Sequence, residues 1–116
     1  MGITLHWDDT NTIYQTFETD WTLKTYQHSM EALEVMVEGH NAPVRVIMDM
    51  SQSNTPSLRL TRGRRVDETR ATRNVERIVL VSPGYFMPLV DCPVDTVDTL
   101  EEAQTLLERL PLPVPA

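Results

Sequence analysis

The chain has 116 residues, 41% of them hydrophobic, enough for one domain to bury a core without disulfides or metals and too many for a disordered chain. Its net charge of −7 argues against a surface built to bind nucleic acid. A single cysteine, Cys92, excludes an internal disulfide framework and suits a reducing compartment. With no basic segment ahead of a long apolar run at the start, and no window long enough for a membrane span, the expectation is a soluble cytoplasmic protein.

Ile3, Leu5 and Trp7 alternate with polar residues, the period of a half-buried strand. Asp8 to Asn11 are turn formers, and Ile13, Gln15 and Phe17 then alternate in a second strand, which predicts a hairpin. Thr22 caps a helix in which Leu23, Tyr26, Met30, Leu33 and Val37 share one face, while Lys24, Gln27, Glu31, Glu34 and Glu38 fall on the other. Gly39 is its expected C-terminal stop. Val44 to Met48 are almost continuously apolar and end at Asp49, as in a central strand covered on both faces. A polar loop from Met50 to Pro56 leads to a second predicted helix, from Ser57 to about Ala71. Its apolar content is thin, and Gly63 weakens it by ~1 kcal/mol.

Val75 to Val81 form the next buried strand, followed by the turn Ser82-Pro83-Gly84. Tyr85, Phe86, Met87, Leu89 and Val90 are apolar around Pro88 and read as a single helical turn. A short strand runs from after Pro93 to Val97. Thr99 and Glu102 form a capping box for a last helix with Leu100, Ala103, Leu107 and Leu110 on one face. The prolines at 111, 113 and 115 cannot continue it. The reading is one α/β domain over residues 1–110, with a Pro-rich extended tail at 111–116. Its elements run β-β-α-β-α-β-(α)-β-α, and its mixed sheet of about five strands has helices packed against it.

In four stretches the chain resembles the small STAS-like domains, the group that includes the anti-sigma-factor antagonists of spore-forming bacteria. They are Phe17 to Leu23, through Asp20-Trp21-Thr22; Val44 to Ser51, ending Asp49-Met50-Ser51; Asn74 to Val81; and Asp98 to Ala103. The nearest likeness is to short single-domain bacterial proteins. In the antagonists the strand-end loop leads to a phosphorylated serine at a helix start. Ser57-Leu58 occupies that place here, without the preceding Asp and the following Gly. The resemblance implies a STAS-like fold and a regulatory, non-enzymatic role more than it implies the phosphoswitch itself.

No catalytic constellation stands out. Cys92 lies between Asp91 and Pro93, and the neighbouring acid is expected to raise its pKa, which suits an inert thiol. His6, His28 and His40 are scattered over strand, helix and loop and lack metal-ligand spacing. Four glycines make no phosphate-cradling loop. No cofactor and no metal are therefore expected.

Three surfaces are candidates. From Arg59 to Arg77, seven arginines face only Asp67, Glu68 and Glu76, so this stretch carries +4 and the remainder −11. Arg59, Arg62, Arg64, Arg65, Arg70 and Arg73 would suit an acidic protein partner or a second copy of the chain. A solvated helix balanced by the acidic body is the plainer explanation, and the absence of aromatics in the stretch argues against nucleic acid. Ser51, Ser53 and Ser57 form a candidate phosphorylation loop, with Arg59 and Arg62 near to pair a phosphate. A plain polar loop and serine cap explain them as simply. Tyr85, Phe86, Met87 and Leu89 are a candidate apolar interface if exposed and core if buried. The leading expectation is a protein-interaction or regulatory module, homodimeric or bound to another protein. The alternative is a domain binding a small anionic ligand (phosphate, nucleotide or lipid) near Ser57, Arg59 and Arg62.

Overall fold

Five strands build one mixed sheet in sequential order: β1 (Ile3–Trp7), β2 (Thr12–Phe17), β3 (Val44–Asp49), β4 (Val75–Val81) and β5 (Val94–Val97). β1 and β2 form the expected antiparallel hairpin, with Ile3 opposite Phe17 and Trp7 opposite Ile13. β2, β3, β4 and β5 are mutually parallel. The computed structural model describes residues 2–8, 11–19, 21–40, 43–53, 72–84, 87–88 and 90–109. The helix expected at 57–71, the segment's residues Tyr85, Phe86 and Leu89, and the tail at 111–116 lie outside these.

Strand alternation divides the side chains between two faces. On one face Ile13, Phe17, Val44, Val46, Met48, Ile78 and Leu80 meet Tyr26, Met30, Leu33 and Val37 of α1 (Leu23–Glu38). Each fully buried side chain of this kind contributes about 1.5–3 kcal/mol. Val90 and Cys92, in the β4–β5 connection, pack against the same face. On the other face Ile47, Val79 and Val81 meet Ala103 and Leu107 of α2 (Leu100–Arg109). Both helices start as their sequences specify. The Thr22 hydroxyl accepts from the Thr25 N–H at 3.1 Å, and the Thr99 hydroxyl accepts from the Glu102 N–H at 3.1 Å.

Three local details depart from expectation. Gly39 ends α1 in a right-handed conformation (φ −77°), with its N–H bonded to the Val35 carbonyl and the His40 N–H to the Val37 carbonyl, so its stop does not use glycine's left-handed freedom. At the head of α2 the Glu102 carboxylate accepts a hydrogen bond from the Thr99 hydroxyl at 3.3 Å rather than from the Thr99 backbone N–H. In the segment read as a helical turn, the described residues Met87, Pro88 and Val90 have no helical structure; Pro88 lacks the N–H that such a turn would use. The turn after β4 does rely on left-handed backbone: φ is 51° at Ser82 and 61° at Gly84.

Candidate functional site

The loops at the carboxyl ends of β2 and β3 are tied together. Asp49 ends β3, and its Oδ1 accepts the Ser51 N–H at 3.0 Å and the Ser51 hydroxyl at 2.7 Å, closing a tight side-chain turn. The Ser53 N–H donates to the Met50 carbonyl, and Met50, itself buried, donates its N–H to Val81 of β4. From the β2 side, Trp21 Nε1 donates to Ser53 Oγ at 2.7 Å and Thr19 donates to the Gln52 carbonyl at 3.4 Å. Trp21 is held in turn by an edge contact with Phe17 (5.0 Å between ring centres) and by Tyr26 (5.8 Å). Ser51 is exposed, whereas Ser53 is half-buried. Ser57, Arg59 and Arg62 lie outside the described residues, so only two members of the serine group are placed.

Of the arginine surface, Arg73 is exposed just ahead of β4, and Arg59, Arg62, Arg64, Arg65 and Arg70 lie outside the described residues. Arg77 belongs to β4 itself, half-buried and ion-paired with Asp95 of β5. It is therefore a sheet residue already answered by an acid. Of the apolar candidates only Met87 is described, and it is 48% exposed.

A cleft of about 470 Å³ opens at the other end of the parallel strands, on the α2 face, between Asp8, Thr12, Tyr14, Arg45, Gln104 and Glu108. Arg45 interrupts the apolar run of β3, and nothing in the sequence marks it as a site residue. Its side chain is buried, donates to Glu76 Oε2 at 3.0 Å, and caps the end of α2 through the Leu107 carbonyl at 2.9 Å. A cation at a helix C-terminus is favoured by the free carbonyls and the dipole. Asp8 and Glu108 add negative charge at the rim, so this cleft is poorly suited to an anion.

The three histidines stand apart. His6 stacks on Tyr14 (5.2 Å) on the α2 face, His40 packs at a tilt against Trp7 (4.7 Å) and bonds Asn11 Oδ1 at 2.8 Å, and His28 is exposed on α1. Among the described residues no group of three His, Cys, Asp or Glu side chains gathers to hold a metal ion. The Cys92 thiol is pushed up from its usual range, first by burial and then by Asp91; its own backbone bond and Arg77 offset part of this. Burial thus outweighs the acidic neighbour on which the sequence reading relied. No helix among the described residues is long and apolar enough to cross a membrane.

Comparison of the chain with protein-family models, with curated proteins and with solved structures finds no match in any of the three.

Proposed function

We propose that the protein is a non-enzymatic interaction module of STAS-like type, whose regulated surface is the loop at the carboxyl end of β3. The observation that carries this reading is the Asp49–Ser51–Ser53–Trp21 linkage. An exposed serine hydroxyl donates to a carboxylate in a loop whose other end is bonded to an indole. A phosphate on Ser51 would remove that donor and set a dianion beside the Asp49 carboxylate. The turn would open by like-charge repulsion, altering the surface offered to a partner. The STAS-like resemblance of the stretch ending Asp49-Met50-Ser51 adds to this reading. So does the seating of that stretch on a sheet anchored to β4 through Met50.

Mass spectrometry of the protein isolated from its own cells tests the reading by seeking phosphoserine at Ser51, Ser53 and Ser57. In a Trp7→Phe background, Ser51→Glu should shift the emission of Trp21 to the red, and Ser51→Ala should shift it less. Absence of phosphate at all three serines, together with unchanged Trp21 emission in Ser51→Glu, would remove the regulated loop from the account.

A further inference from the structure

β1 is an edge strand, and among the described residues no strand lies beyond it. Its hydrogen-bond parity follows from two bonds: Glu18 N–H to the Gly2 carbonyl and Asp8 N–H to the Thr12 carbonyl. In an antiparallel ladder such pairs recur every second residue. Gly2, Thr4, His6 and Asp8 therefore turn their backbone groups toward β2, and Ile3, Leu5 and Trp7 turn theirs to the open edge. Edge strands are usually guarded by a lysine, a proline, a bulge or a charge pointing inward. Ile3–Trp7, with the sequence ITLHW, has none of these and pairs with β2 without a register shift.

The helix beside this edge carries its charges against its own dipole. α1 has no acidic residue in its first turn and no basic residue in its last. Lys24 stands near the N-terminus and Glu38 at the C-terminus, each at the end where its charge is disfavoured. Neither has an ion-pair partner among the described residues. α1 leans toward β1. Between them runs a groove of about 590 Å³ in which Ile3 and Leu5 face Lys24, His28 and Ala32.

We infer that a second copy of this chain adds its β1 to this edge, antiparallel about a two-fold axis at Leu5. Leu5 then pairs with Leu5 of the second copy, and Ile3 pairs with Trp7 of the second copy. All three are the residues whose backbone groups face outward, so the contact is self-complementary, as an isologous interface requires. The half-exposed indole of Trp7 in each copy comes to lie beside Ile3 of the other, at the Lys24–His28 end of the groove. The same two-fold axis, perpendicular to the sheet, reverses direction between copies and so sets the two α1 helices antiparallel. Lys24 of each copy then faces the Glu38 end of the other. Charge that opposes the dipole within one copy becomes complementary between two. The result is one continuous ten-stranded sheet, formed without the arginine stretch or the apolar segment 85–89.

Light scattering after size exclusion, on the full chain and a set of variants, tests this inference. The parent chain should be a dimer that weakens with dilution. Leu5→Lys sets two ammonium groups against each other at the axis and should give a monomer. Lys24→Glu alone, or Glu38→Lys alone, should weaken the dimer roughly tenfold, since each change turns attraction into repulsion at both symmetry-related contacts. Lys24→Glu combined with Glu38→Lys should restore it. Both charge variants lie on the exposed face of α1 and agree better with its dipole, so lost assembly cannot be assigned to lost folding. A parent chain that is monomeric at every concentration would overturn the inference. So would a dimer indifferent to Leu5→Lys, or a charge-swapped pair no better than its single variants.

Discussion

The two described helices that flank the sheet are finished to different degrees. α2 is complete within the chain. Thr99 caps its start, Glu101 and Glu102 lie in its first turn, Arg109 lies in its last, and the buried Arg45 guanidinium holds the Leu107 carbonyl of its last turn. α1 buries the larger apolar face, with Tyr26, Met30, Leu33 and Val37 all within the core. Its charges nevertheless run the wrong way along its axis, and the strand it leans over has an open edge. A helix can afford misplaced surface charge when its apolar face supplies most of its stability. The difference teaches that α1 is anchored by packing and α2 by polar bonds. The side of the molecule with spare bonding capacity is therefore the α1–β1 side.

The largest effect is expected where α2 depends on one side chain. Arg45→Ala removes the partner of Glu76 and the cap on Leu107 together. It should lower stability by about 3 kcal/mol in urea unfolding, as broken buried pairs do. A loss confined to a few tenths would mean that α2 is held by its apolar contacts alone. On the α1 side, Gln15 is fully buried, with Nε2 bonded to Ser29 Oγ at 2.7 Å and Oε1 left without a partner. An unmatched buried carbonyl is costly, so Gln15→Leu should raise stability by about 1 kcal/mol. A decrease would show that the Ser29 bond outweighs the unmatched oxygen.

Thr99→Ala should lower stability by ~1 kcal/mol. Thr22→Ala should lower it less, because packing carries α1. Equal losses would erase the distinction between the helices. The smallest effect is a matter of pH. The folded state keeps the Cys92 thiol protonated to higher pH than the unfolded chain does. As pH rises through the unfolded thiol's ordinary range, the unfolded state gains by ionising first and stability should fall. Cys92→Ser should flatten that alkaline decline, and alkylation of the native thiol should be slower than that of the unfolded chain.

Much of the fold is legible from periodicity. Alternation in Ile3-Leu5-Trp7 and Ile13-Gln15-Phe17 gives both hairpin strands, even placing the polar Gln15 inward. The apolar run from Val44 gives the central strand. What the pattern cannot show is where a buried charge finds its partner. Arg45 reads as an interruption until β4 brings Glu76 beside it and α2 brings the Leu107 carbonyl. Arg77 is misleading for the same reason. Counted along the chain it extends a basic stretch, yet across the sheet Asp95 answers it. Of the serine loop, residue type and turn propensity suggest the polar segment. The bond from Trp21 to Ser53 joins residues 32 apart in sequence and exists only once β2 and β3 are paired. The open edge of β1 is likewise a property of sheet order, which alternation leaves undetermined.

The central claim is that the α1–β1 side is completed by a second copy, and amide hydrogen exchange of residues 3–7 at rising protein concentration tests it most directly. The account predicts that Thr4 and His6, bonded to β2, are protected at every concentration. Ile3, Leu5 and Trp7 should exchange quickly when dilute and become protected together as concentration rises. Fast exchange at those three positions under all conditions would contradict it.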